Sequence, residues 1–248
     1  MNKSWLKSDI SALILAGGQS QRFNANDKGL INFMHKPMVQ HVLERVAPQV
    51  ASVSISCNRH IDQYRSIHQR FYQHFSQNND LDHHLDINPQ TSSTVCIEDK
   101  GTIELQGPLA GIFAYLEDCH SELVFICSCD TPMIPRDIVQ QLLNSLTHDN
   151  ADVSYPVDEN GHHHLALLVK SSAARAALQQ LLEESKTESG SPNRKTKAHS
   201  IRNWLNRLKS QQIIVDSQAI GFADINSATE LAAIEQKKPS AKEVQAWF

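Results

Sequence analysis

Leu15-Ala16-Gly17-Gly18-Gln19-Ser20-Gln21-Arg22-Phe23, followed by Asp27-Lys28-Gly29-Leu30, is the stretch on which the reading of this chain turns. It is entered by Ala12-Leu13-Ile14-Leu15, a short apolar run that stops at a glycine pair, the pattern of a buried strand passing into a turn. Gly17 and Gly18 carry no Cβ, so their backbone amides can approach phosphate oxygens without a clash. Successive amides in such a turn form a concave anion site. Arg22 and Lys28 add cationic donors where the charge of a pyrophosphate would grow. The loop is not a Walker loop, because no G-K-[ST] follows. It also lacks G-x-G-x-x-G, which disfavours a dinucleotide-binding fold.

Beyond this loop, apolar runs alternate with segments of helical period. Val39, Val42, Leu43 and Val46 have the spacing of a helix with one buried face, and Pro37 suits its first turn. Val53 to Ser56, Thr94 to Glu98, Leu123 to Ile126 and Leu165 to Val169 read as further strands. Leu109, Ile112, Phe113 and Leu116 mark a helix, as do Ile138, Leu142 and Leu146, and Ala173 to Leu182. Ile201, Trp204, Leu205 and Leu208 give a last core-facing helix, with Lys195, Lys197, Arg202, Arg207 and Lys209 in and before it. Strand–helix alternation predicts a three-layer α/β/α fold with a mostly parallel central sheet. Residues 71–93 are rich in Gln, Asn, His and Asp, and residues 183–197 carry Ser, Gly, Pro and Lys. Both are expected to be polar insertions or mobile loops.

Composition narrows the class. The 248 residues suit one α/β domain over 1–248, though two small ones stay open. No run approaches the roughly 18–20 apolar residues of a membrane helix, and the first ten residues have no secretory apolar core. The five cysteines are odd in number and form no C-x-x-C, which argues against a disulfide framework or a zinc ribbon. A reducing cytoplasm is the expected compartment. A net charge of −4 argues against nucleic acid as the main partner but says nothing against a single nucleotide.

Several polar residues stand at the carboxyl ends of the expected strands, where open α/β sheets bind ligands. Asp130 lies in Cys127-Ser128-Cys129-Asp130-Thr131-Pro132. It could hold a divalent metal on the phosphates or serve as an ordinary turn aspartate. Asp99 follows Val95-Cys96-Ile97-Glu98, and a surface turn is its plain alternative. Gly107-Pro108-Leu109-Ala110-Gly111 opens a helix whose amides and dipole could face an anion or a base edge. Ser56-Cys57-Asn58-Arg59-His60 follows the second strand. Three adjacent histidines, His162 to His164, cannot share one face of a strand, which makes a solvated turn the better reading than a metal site.

With these residues in view, the glycine-rich run resembles the signature of Rossmann-like nucleotidyltransferases, and its Asp27-Lys28-Gly29-Leu30 extension looks like the molybdenum cofactor guanylyltransferase (MobA) family. The resemblance runs from Leu13 to about Leu231. It implies an enzyme that transfers GMP from GTP to the molybdopterin cofactor with Mg²⁺. It places Leu15, Ala16, Gly17, Gly18, Arg22 and Lys28 around the nucleotide. Asp130 becomes the Mg²⁺ ligand, with Arg22, Lys28 and Asp130 as the catalytic set. It adds Asp99, Gly107, Ser56 and Asn58 as nucleotide contacts and His163 on the acceptor side. Phe222-Ala223-Asp224-Ile225-Asn226-Ser227 resembles another family stretch, in which Asn226 is kept and Asp224 replaces an asparagine. Asn24-Ala25-Asn26 stands where the family has glycines, and Ser56 where it has asparagine. Implied partners are GTP, molybdopterin, the enzyme that inserts molybdenum and the apo-enzymes that receive the product. No membrane or nucleic acid is implied, and a monomer is the expected form. The alternatives left open are a CTP-dependent or sugar-phosphate nucleotidyltransferase, and a nucleotide-binding regulator without turnover.

Overall fold

The computed structural model describes residues 5–16, 27–78, 96–97, 107–187, 200–215 and 220–236. The first strand, β1 (Ile10–Leu15), is buried at all six positions because strands pair with it on both sides and helices cover both faces. The described strands are β2 (Asn32–Phe33), β3 (Lys36–Pro37), β4 (Ser52–Ser56), β5 (Cys96–Ile97), β6 (Leu123–Ser128), β7 (Val153–Asp158), β8 (Gly161–His162), β9 (Ala166–Lys170) and β10 (Ser210–Ile214). The helices are α1 (Met38–Val46), α2 (Ile61–Asn78), α3 (Pro108–Asp118), α4 (Ile138–His148), α5 (Ser171–Thr187), α6 (Ile201–Leu205) and α7 (Ala228–Gln236).

The main sheet has the order β10-β7-β9-β6-β1-β4-β5, with β8 paired to β7. All its neighbours are parallel except β9, which runs antiparallel to β6 and β7, and the β7–β8 hairpin. Alternation along β1 sorts the core into two layers. Ala12 and Ile14 face Val39, Val42 and Leu43 of α1, Tyr64 of α2, and Ile138 and Leu142 of α4. Leu13 and Leu15 face Leu109, Ile112 and Leu116 of α3, Leu178 of α5 and Trp204 of α6. The expected three-layer α/β/α architecture with a mostly parallel sheet is the one observed.

Two expectations need correction. Phe71 to Asn78 is the second half of α2 rather than the start of an insertion, and residues 183–187 complete α5. Polarity misled in both places, because these helical turns are made mostly of polar residues. The remainder of both expected insertions, 79–93 and 188–197, lies outside the described residues.

The chain leaves β1 for β4 and β5 on one side and returns to β6 on the other. The connections therefore diverge at β1, and the crevice they leave lies beyond the carboxyl ends of β1, β4 and β6. A third, smaller cluster of Phe33, Met38, Met133 and Ile225, with Leu231 and Ile234 packed on it, joins the β2–β3 hairpin and α7 to the turn after β6. The Met34 amide also donates to Glu235 Oε1 at 2.9 Å.

Candidate active site

The strand ends are tied to one another before any functional side chain is placed. The Cys129 amide donates to the Leu15 carbonyl at 3.0 Å, and the Ala16 amide to the Ser56 carbonyl at 2.8 Å. Past β6 the chain turns at Cys129-Asp130, where Thr131 Oγ1 donates to the Ser128 carbonyl at 3.0 Å. The Asp130 carbonyl accepts the Ile225 amide at 2.8 Å, which brings the segment before α7 against this turn.

Lys28 opens a short 3-10 turn, Lys28–Leu30, capped by Asp27, whose Oδ1 accepts the Gly29 amide at 3.3 Å. From there its Nζ donates to Asp130 Oδ2 at 2.9 Å and to Asn226 Oδ1. The Lys28 and Asp130 side chains are only 19% and 16% exposed, so the pair is partly shielded from solvent. Asn226 is held in turn, its amide donating to Glu230 Oε2 at 2.6 Å. The Glu230 amide donates to Ser227 Oγ at 3.2 Å, one half of a capping box. The Glu230 carboxylate reaches the Asn226 amide rather than closing the box on Ser227.

Asp224 completes the polar group. Its carboxyl is pushed up to about 6, first by loss of hydration and then by the neighbouring Asp130, while His163 and Lys28 oppose the rise. The residue as a whole is exposed, so solvent screens part of this effect. A carboxyl whose ionisation is opposed by a second carboxylate beside it suits a divalent cation. Among the described residues no three His, Cys, Asp or Glu side chains converge as a preformed metal cage. That donor set fits Mg²⁺, which usually takes one or two carboxylates and completes its shell with phosphate oxygens and water.

On the far side, period-two geometry splits the histidine run. His162 and His164 stack with ring centroids 5.3 Å apart beside Tyr155. His163 turns the other way and stacks on Phe222 at 4.8 Å. His163 Nε2 lies 3.0 Å from Asp158 Oδ2 but is not aligned to donate a hydrogen bond to it. Among the basic residues near α6, Arg207 pairs with Glu184 and Lys209 Nζ reaches the Asp149 carbonyl at 2.9 Å, whereas Arg202 is exposed.

A family model described as the MobA-like NTP transferase domain matches residues 12–195, which contain most of β1, Lys28 and Asp130. The chain belongs to the MobA-like NTP transferase family. A molybdenum cofactor guanylyltransferase of Ralstonia nicotianae is 31% identical over 235 residues, covering 93% of this chain and 98% of its own. One from Shewanella pealeana is 29% identical over 67% of this chain and 70% of its own. The crystal structure of molybdopterin-guanine dinucleotide biosynthesis protein A from Archaeoglobus fulgidus superposes with a TM-score of 0.60 at 18% identity, covering 91% of this chain and 97% of that one. The last likeness concerns the fold.

Within this family fold, the structure gathers Leu15, Ala16, Lys28, Ser56 and Asp130 at one edge of the sheet. Ser56 is buried at 4% exposure, and its hydroxyl packs where a side chain on Gly111 would sit. Asn58 is exposed in the bend after β4. Gly107 adopts φ +66° just before Pro108 at the start of α3, a conformation that glycine takes without strain. Gly17, Gly18, Arg22 and Asp99 lie outside the described residues. Sequence reading gave Asn226 no partner. Its contact with Lys28 spans 198 positions, and no local spacing signals a contact of that kind.

Proposed function

We propose that this chain transfers GMP from Mg²⁺-bound GTP to the terminal phosphate of molybdopterin, forming the guanine dinucleotide cofactor and pyrophosphate. The observation that carries this reading is the constellation of Lys28, Asp130 and Asn226 at the carboxyl edge of β1 and β6, within a chain of the MobA-like family. An oxygen of the acceptor phosphate attacks the α-phosphorus. The bond from that phosphorus to the bridging oxygen breaks, and pyrophosphate leaves with the electron pair. The attacking oxygen is already anionic, so the chain has to supply position and positive charge rather than a base.

Asp130, with Asp224 beside it, would hold the magnesium that neutralises phosphate charge when bound. Lys28 keeps the Asp130 carboxylate in place and stands where it can donate to a phosphate oxygen. Gly17, Gly18 and Arg22 are assigned to the phosphates, and Leu15, Ala16, Ser56, Asn58, Asp99 and Gly107 to the nucleoside. His163 is assigned to the acceptor side. Every one of these residues comes from one chain, so we take a monomer, acting as one nucleotidyltransferase domain, as sufficient.

Cys57, Cys119, Cys127 and Cys129 are buried and form no disulfide with one another, which suits a reducing compartment, and we place the reaction in the cytoplasm. No helix among the described residues is long and apolar enough to cross a membrane. The molybdenum-inserting enzyme and the apo-molybdoenzymes are the partners this role implies.

Thermal unfolding with Mg²⁺ and each of GTP, CTP, ATP and UTP tests the nucleotide assignment. A ligand at a hundredfold excess over Kd raises stability by about 2.7 kcal/mol. A rise with GTP alone is expected. A rise with CTP alone moves the chain to a cytidylyl reaction.

A further inference from the structure

We propose that Tyr64 is a positioning residue for Lys28, acting through Asp27. The inference rests on the reading that Lys28 works at the nucleotide phosphates. Tyr64 is the fourth residue of α2 and is wholly buried, so its hydroxyl must find a partner inside the protein. It donates to Asp27 Oδ1, the same oxygen that accepts the Gly29 amide. Asp27 is itself only 7% exposed, and a carboxylate that deep persists only with donors around it.

The contact also reaches the other neighbour of Lys28. A Cβ placed on Gly29 would lie 2.5 Å from the Tyr64 hydroxyl oxygen and 3.1 Å from its Cε1. The residues before and after Lys28 are thus both fitted to one phenol. The backbone at Lys28 is fixed, while its side chain spans to Asp130 and Asn226. A lysine side chain has many rotamers, so anchoring its root narrows the positions the amine can take.

Tyr64 also links the lysine to a second part of the site. Its amide donates to the His60 carbonyl at 3.2 Å, at the end of the bend that follows β4 and carries Asn58. Burial above all, then Cys129 and the bond to Asp27, raises the phenol well above its ordinary range, so it remains a donor at every working pH. The arrangement sets geometry and carries no proton.

The test follows the lysine amine itself. Wild type and Tyr64→Phe are treated with an N-hydroxysuccinimide acetate, and acetylation of Lys28 is timed by peptide mass spectrometry below the unfolding transition of both chains. Loosening of the Lys28–Asp130 pair predicts Lys28 modification several times faster in Tyr64→Phe, with other lysines unchanged. An unchanged Lys28 rate overturns the proposal.

Kinetics with Mg²⁺-GTP and molybdopterin give the second readout. Tyr64→Phe should lower kcat about tenfold to a hundredfold with little change in KM for GTP, the scale of a misplaced catalytic group. It should have no further effect in a Lys28→Met chain. An equal loss in both backgrounds means a general structural role and overturns the proposal. Should Tyr64→Phe not fold, Gly29→Ala presses on the same hydroxyl and should speed Lys28 acetylation, with no change in rate counting against the proposal. Faster Lys28 labelling in Tyr64→Phe, together with a wild type that turns over no GTP, would retire the guanylyl reading and leave the positioning contact standing.

Discussion

Lys28→Met removes the cation that bridges Asp130 and Asn226 while keeping a side chain of similar length. Two effects follow, and they differ in size. For catalysis, a preorganised donor aimed at developing phosphate charge in a shielded site is worth about 2.7–4 kcal/mol, or about 10² to 10³ in kcat. For stability the loss is smaller. The pair is 2.9 Å apart with side chains 19% and 16% exposed, between a surface ion pair of about 0–1 kcal/mol and a fully buried one. The apo chain should therefore lose about 1 kcal/mol, and GTP should still bind. Pyrophosphate release measured with saturating Mg²⁺-GTP and acceptor gives kcat, and urea unfolding gives the stability. A variant that keeps kcat within about fivefold of wild type would refute the reasoning, because no donor of the stated worth could then have been lost. A variant that loses its fold would refute the estimate of how shielded the pair is.

Asp224→Asn should make the apo chain more stable above pH 6 and slow turnover. The carboxyl is raised from 3.8 to about 6, so between those values the folded chain holds the proton that the unfolded chain has released, and stability falls as pH rises. The asparagine variant should lack that fall in unfolding curves taken from pH 4 to 8, and an identical pH dependence would contradict the assignment. Gly111→Ala should destabilise by about 1–3 kcal/mol through overpacking. Its Cβ would press on the Ser56 hydroxyl and come within 3.3 Å of Leu15 Cδ2. Ser56→Ala should recover part of the loss, and strict additivity of the two changes in urea unfolding would show that the contact is not shared. His68 is 3% exposed, with Nε2 2.9 Å from the Val53 carbonyl, and burial lowers its pKa. Its contribution is complete above the unfolded value of about 6.5 and is lost as pH falls, because the unfolded chain takes up the proton first. His68→Gln should blunt the acid sensitivity, and an unchanged slope between pH 7 and 5 would contradict this.

How far the sequence could be read depends on where each signal lies. β1, β6 and β9 were legible because strands buried on both faces show as unbroken apolar runs. α1, α3 and α4 were legible from their apolar stripes. β7, Val153–Asp158, escaped because Pro156 argues against a strand interior. The register shows why it is tolerated, since β9 pairs only with Val153 and Ser154 and the proline lies beyond that ladder. β10, Ser210–Ile214, escaped because an edge strand with alternating exposure and two glutamines has no apolar run to see. In the site, Lys28 and Asp130 could be found because each sits in a short local pattern at a strand end. Their meeting with Asn226 and the grip of Tyr64 on Asp27 are contacts across the fold, which local spacing does not encode.

The most direct test of guanylyl transfer is pyrophosphate release by the purified chain with Mg²⁺ and molybdopterin, supplied with GTP, CTP, ATP or UTP in turn and with the nucleotide product identified by mass. The account predicts one pyrophosphate for each guanine dinucleotide formed, with GTP alone and only when acceptor is present. Release with CTP in preference to GTP, or binding of GTP without any pyrophosphate in the presence of acceptor, would contradict it.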